Sequence, residues 1–176
     1  LYTDEGIRAD TTLEKISSLK PAFKEGGVVT AANASTLNDG ASAVVLASKA
    51  YAIEHGLDYL AEINGYSEVG IDPSIMGVAP VSAINQLLQK VNRTTADIDL
   101  FQINEAFAAA SVAVQKELAL PDERVNIYGG AIALGHPIGA SGARIVTNFL
   151  SDLKQEGKQR SVNSLCIGGV IGLALI

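Results

Sequence analysis

A chain of 176 residues is long enough for one well-cored domain and part of a second, and its 48% hydrophobic residues exclude a disordered chain. Its formal net charge of −6 excludes nucleic acid and anionic membrane surfaces as natural partners. One cysteine, Cys166, rules out an internal disulfide and suggests a reducing compartment, expected here to be the cytoplasm.

Residues 1–38 are mixed in character. Thr11-Thr12-Leu13-Glu14 reads as a capping box with Thr11 at the cap, opening a short helix that stops before Pro21. Val28-Val29-Thr30 reads as a short strand after a glycine turn. Asn38-Asp39-Gly40 is expected to open a helix that places Val44, Val45, Ala47 and Ala50 roughly along one face and ends at Gly56. A strand is expected within 61–70. The next helix has Pro80 at its start, with Ile84, Leu87, Leu88 and Val91 on one face. Ile98 to Ile103 reads as a strand, and Glu105 to Leu118 as an alanine-rich helix apolar enough to be buried.

A short strand is then expected over Val125 to Tyr128, a glycine-rich loop from Gly129 to Gly142, and a helix from about Ser141 to Gln155. Val162 to Ile167 and Ile171 to Ile176 read as two strands around Gly168-Gly169. The alternation of strands and helices predicts an α/β layered domain. The longest uncharged apolar run, Ser164 to Ile176, is too short to span a membrane, and no segment reads as a signal peptide. The chain begins with Leu1, so a processed product or a piece of a longer polypeptide is expected.

Three polar groups stand at strand ends or in glycine-rich turns, where layered α/β proteins collect reactive groups. Asn104 is either the N-cap of the helix that follows or a fixed amide that holds a water or an oxyanion. His136, inside Gly135-His136-Pro137-Ile138-Gly139, is either a packed structural histidine or a group that activates a thiol and donates to a developing oxyanion. His55, at a helix end before Gly56, reads as a surface or capping residue. Cys166 is either an inert buried thiol or a reactive one, since Gly168 and Gly169 clear side chains from its neighbourhood and free backbone N–H groups for an oxyanion. The spacing of Gly135, Gly139 and Gly142 superficially suggests a nucleotide loop, but it lacks the opening βαβ unit and the acidic residue of the dinucleotide fingerprint.

In order and spacing, Asp4-Glu5, Leu19 to Phe23, Val29 to Ser35, Leu37 to Ala41, Met76-Gly77 with Pro80, Asn104 to Ala108, Gly129 to Arg144 and Cys166 to Gly169 together resemble the thiolase family. The resemblance runs along essentially the whole chain. It implies a layered α/β/α/β/α fold of which the C-terminal half is present, with 1–38 ending a loop domain, 39–59 closing an N-terminal domain and 60–176 forming the C-terminal domain. It implies acyl transfer between coenzyme A thioesters: condensation of two acetyl-CoA to acetoacetyl-CoA, or the reverse thiolysis.

By the same resemblance Cys166 is the cysteine that moves protons. His136 activates the acylated cysteine and helps hold the enolate oxygen, and Asn104 holds the water that completes that oxyanion site. The Gly168 N–H serves a second oxyanion hole, Ser35 lies near the pantetheine chain and Met76 lines the acyl pocket. Glu105 is placed in a supporting shell with no defined role. The acylated cysteine is expected in an N-terminal half of the same protein that this chain lacks. No metal and no cofactor beyond the coenzyme A thioester substrate are implied, and a homodimer or homotetramer is.

The chain departs from the family's pattern at Val170, where a third glycine is usual, and at Ala32, Thr36, Ala79 and Tyr128. Val170 is expected to narrow the acyl pocket or tilt Gly168. Other readings are a thiolase-like acyl-CoA binding or assembly protein without catalysis, a condensing enzyme of the ketoacyl synthase type, and a nucleotide-dependent oxidoreductase.

Overall fold

The computed structural model describes residues 2–176. Its centre is a four-stranded sheet of β1 (Tyr66–Gly70), β2 (Leu100–Ile103), β3 (Ser161–Ile167) and β4 (Ile171–Leu175), in the order β1-β4-β3-β2. β2 and β3 run parallel, with Ile103 opposite Ser164, whereas β4 is antiparallel to both neighbours and pairs Gly172 with Cys166. The parallel pair needs a long crossover. The chain between β2 and β3 supplies it through α4 (Ala108–Glu117), α5 (Ala131–Leu134) and α6 (Ser141–Glu156).

Alternation along β2 divides the core between the two sheet faces. Phe101 and Ile103 join Ala83, Ile84, Leu87 and Leu88 of α3 (Ala79–Lys90), Val114 and Leu118 at α4, Val162 of β3 and Ala174 of β4. Leu100 points the other way, to Phe149 and Leu153 of α6. Burying Ile84 or Leu87 completely is worth about 1.5–3 kcal/mol each, so α3 is fixed to the sheet by the stripe its spacing predicted. On the α6 face a polar contact interrupts the apolar layer: Gln102 Nε2 donates to Asp152 Oδ2 at 2.6 Å, both residues being buried. Burial pushes the Asp152 carboxyl up; the Gln102 bond pulls it down and the Glu156 charge adds to the rise.

Several expectations are corrected. Of the helix expected over 38–56, only α2 (Lys49–Glu54) forms, capped by Ser48, and 38–48 has no regular structure. Val45 is 98% exposed. No apolar surface therefore draws that stripe into a helix, and two adjacent β-branched residues oppose helix on their own. Val28–Thr30 is not a strand; the Val29 carbonyl accepts from the Ala22 N–H in a local turn. Val125 makes one parallel bridge to Phe101, and Asn126, at φ 47°, ends the extension there. Within 61–70 the strand starts only at Tyr66. α1 (Leu13–Ser17) is capped by Thr12, one residue later than expected. α4 begins three residues late and buries only Val114 fully, the elements packed against it being chiefly the 3-10 segment Pro73–Val78 and α3. A 3-10 segment, Pro73–Val78, and the short α5 were not anticipated.

Candidate active site

The site lies where β2 ends at Ile103, opposite Ser164, and β3 runs on to Ile167. The Asn104 N–H donates to the Ser164 carbonyl at 2.9 Å, which extends the parallel ladder one residue beyond β2. Asn104 is not a helix cap, since α4 starts at Ala108 after Phe107. Its side chain is buried, and neither Oδ1 nor Nδ2 has a partner among the described residues. A buried amide left without a hydrogen bond costs about 1–3 kcal/mol, a feature found where a fold keeps polar groups for a ligand rather than for its own stability.

Glu105 follows directly. Its Oε1 accepts from Asn126 Nδ2 at 2.9 Å and its Oε2 from the Ile132 N–H at 3.1 Å. Asn126 also brackets β2, accepting from the Ile103 N–H and donating to the Ile103 carbonyl, each at 2.9 Å. The Ala106 carbonyl accepts from both the N–H and the hydroxyl of Ser35, at 3.0 and 3.1 Å. The segment around Ser35 continues to the glycine-rich loop, where the His136 N–H donates to the Thr36 carbonyl at 2.8 Å. Asn38 packs on Gly135, whose φ of +89° and lack of a side chain admit it. The hydrogen bonds thus close a ring from Glu105, next to Asn104 in the chain, through Ser35 and Thr36 to His136, and back through Ile132.

His136 is half-buried, with Nδ1 2.6 Å from Ser141 Oγ at the start of α6. The Ser141 hydroxyl donates to the Pro137 carbonyl at 3.0 Å. With that hydrogen committed, Nδ1 is the donor to Oγ, and the Nε2 lone pair is free; the tautomer is assigned from the bond network. Burial, and next the charge of Arg144, hold the imidazole below its ordinary pKa. Neutral, with Nε2 open, His136 has the form a general base needs near pH 7. Arg144 is itself half-buried; desolvation lowers its pKa and the Glu105 charge raises it.

Cys166, one residue before the end of β3, is a half-buried free thiol. Burial pushes its pKa up, against a smaller lowering by its own backbone. The thiol form therefore persists to higher pH than in an ordinary cysteine, which suits a group that hands protons back and forth better than one that must stay a thiolate. Its register partner Gly172 has no side chain because the Ala79 carbonyl occupies the place, its carbon only 2.7 Å from where a Cβ would sit. The turn between β3 and β4 is Gly168-Gly169-Val170. Nothing lies within 4 Å of a Cβ placed on Gly168, so its backbone is open to an approaching ligand. Val170 takes φ +64°, a left-handed conformation that strains a β-branched side chain.

Of the six residues singled out in the sequence, His136 and Ser35 share the hydrogen-bonded ring, Asn104 is next in the chain to its member Glu105, Cys166 follows two residues after the β2 partner Ser164, and Gly168 lies in the turn after β3. Met76 stands apart, in the 3-10 segment whose Gly77 approaches Ala110 of α4. Sequence reasoning missed Asn126, Ser141 and Arg144. Ser141, five positions past His136 at a helix start, carried the one readable signal.

Residues 57–176 match the family model described as thiolase, C-terminal domain, and residues 1–50 match thiolase, N-terminal domain. A probable acetyl-CoA acyltransferase of Staphylococcus aureus is 50% identical over 173 residues, which is 98% of this chain and 44% of that protein. The crystal structure of the Bacillus anthracis acetyl-CoA acetyltransferase superposes with a TM-score of 0.93 at 53% identity, over 98% of this chain and 44% of that one. Human mitochondrial 3-ketoacyl-CoA thiolase gives 0.89 at 43% identity, with the same coverage of 98% and 44%. The chain thus spans 44% of the length of the relatives it matches, with the layered α/β fold they share. By these matches along its whole length, the chain belongs to the thiolase family.

Proposed function

We propose that this chain supplies the enolate-binding and proton-moving groups of an acyl-CoA C-acyltransferase, working with a thiolase N-terminal portion that carries the acylated cysteine. The observation that carries the reading is the unpartnered, buried Asn104 amide, next in the chain to Glu105 of the hydrogen-bonded ring that holds His136, with Cys166 two residues beyond the Ser164 carbonyl that accepts the Asn104 N–H.

In the synthetic direction Cys166, as thiolate, takes an α-proton from the second acyl-CoA. The enolate oxygen that develops is met by a water held on Asn104 and by His136, which as general base has taken the proton of the acylated cysteine onto Nε2 and donates it there. The carbanion attacks the acyl-cysteine carbonyl, and the Gly168 N–H stabilises the resulting oxyanion. A carbon–carbon bond forms, the carbon–sulfur bond to the cysteine breaks, and the departing sulfur leaves as thiolate. Thiolysis runs the same steps backwards, with Cys166 returning the proton. Ser35 contributes to the pantetheine path and Met76 to the wall of the acyl pocket. The preferred pair is acetyl-CoA and acetoacetyl-CoA.

The test is acetoacetyl-CoA thiolysis by the full-length protein, followed through loss of the substrate's enolate absorbance. Activity that collapses in N104A and H136A supports the reading, and a folded protein with no turnover overturns it.

A further inference from the structure

We propose that Glu105 is a positioning residue: its carboxylate spans from the end of β2 to the turn before His136 and so fixes His136 relative to Asn104. The inference rests on the reading of these two groups as partners at one oxyanion.

Glu105 is covalently next to Asn104. One of its oxygens is held by Asn126, whose amide also grips both polar groups of the Ile103 backbone, so that end is anchored to the strand. The other oxygen accepts the N–H of Ile132, in the first turn of α5. From Ile132 to His136 the path is one tight turn, closed by Leu134 N–H to the Gly130 carbonyl and Gly135 N–H to the Ala131 carbonyl, both at 2.9 Å. A displacement of the carboxylate is therefore passed to the imidazole with little slack.

Gly130 gives independent support. A Cβ there would lie 2.6 and 2.7 Å from the two Glu105 oxygens. Yet the backbone of Gly130, at φ −131° and ψ −156°, is extended and open to any residue. Space for the Glu105 carboxylate, not backbone conformation, is what requires glycine at 130. The loop is shaped around that side chain.

A double-mutant cycle in the full-length protein tests the role. E105A and G130A should each lower kcat for acetoacetyl-CoA thiolysis about 10²-fold, the usual cost of misplacing a catalytic group by an ångström, with KM little changed. E105A/G130A should be no slower than E105A, because the three atoms nearest a Cβ at 130 all belong to the Glu105 carboxyl group and go with it. The isosteric E105Q keeps the volume and one acceptor but loses one of the two bonds, from Asn126 Nδ2 or from the Ile132 N–H, setting an N–H against an N–H there. It should fall between wild type and E105A, and it carries the test if E105A does not fold. Ile132 amide exchange should accelerate in E105A, which removes its acceptor. Losses in the two single variants that multiply in the double variant, or kcat unchanged in E105Q and G130A, would overturn the inference. Inactivity of the wild type would sink the functional reading instead, and the Ile132 exchange rates and the same cycle measured on stability would then decide the carboxylate tie alone.

Discussion

Gly172 sits in mid-strand, where glycine normally weakens a sheet, and replacing it with alanine should nevertheless destabilise the protein. The added Cβ would lie 2.7 Å from the Ala79 carbonyl carbon and 3.1 Å from the Ala79 Cβ, with the carbonyl oxygen nearer still. Ala79 opens α3, and its backbone has no rotamer with which to yield. Reaching ordinary contact at roughly 3.5 Å requires the start of α3 to lift by about 0.8 Å, away from the sheet that buries Ala83, Ile84 and Leu87. Overpacking of this kind costs about 1–3 kcal/mol. Removing a mid-strand glycine returns about 0.5–1 kcal/mol. The net expectation for G172A is a loss of about 1–2 kcal/mol, read in urea as a midpoint lowered by about 0.5–1 M at unchanged m. G70A is the internal control: Gly70 lies in β1 with nothing within 4 Å of a Cβ and without a left-handed φ. It should gain up to about 1 kcal/mol from the unfolded state alone. If G172A proved as stable as G70A, the close approach of α3 to β4 would be refuted.

Three further outcomes follow from the site. Removing the hydroxyl in S141A frees the His136 ring to rotate and change tautomer, and should cost about 10–100-fold in kcat with KM nearly constant; a loss confined to KM would contradict the assigned tautomer. Because burial and then Arg144 lower the His136 pKa, the folded protein favours neutral imidazole. Activity should therefore persist below the ordinary histidine range and fail only as pH falls through the depressed value. The stability tied to that lowered pKa is full above the ordinary histidine pKa and is lost as pH falls from there through the depressed value, because the unfolded chain takes up its proton first. R144Q should move the acid limb up only part of the way, since burial is the larger cause, and an unmoved limb would remove Arg144 from the account. V170G relieves a left-handed conformation worth about 1–2 kcal/mol against about 0.5–1 kcal/mol of added chain entropy, so thermal unfolding should show a gain of up to about 1 kcal/mol, and a clear loss would argue against strain at Val170.

What the sequence revealed depended on how local the determinants were. α3 and α6 were readable because their apolar residues repeat at helical spacing and pack in that register. β3 and β4 were readable because two apolar runs flank a double glycine. The stretch 38–48 was misread because Val44, Val45 and Ala47 fit a helical stripe as sequence, while in the fold no surface receives that stripe. At the site, Asn104, His136 and Cys166 were visible as polar residues out of place. The choice between cap and ligand-holding amide at Asn104 was not, since it turns on a helix that starts three residues later than expected. The work of Glu105 was hidden for a different reason: its partners Asn126 and Ile132 lie 21 and 27 residues away, joined only by the folded loop. The strain at Val170 is a backbone angle, which residue type alone does not disclose.

The central claim is that this chain brings the proton-moving thiol to a thiolase active site, and its most direct measurement is acetoacetyl-CoA thiolysis by the full-length protein compared with its C166A variant. The account predicts turnover by the wild type and a fall of at least about 10²-fold in C166A, with the variant still folded and still able to be acylated. Turnover undiminished in C166A would contradict it.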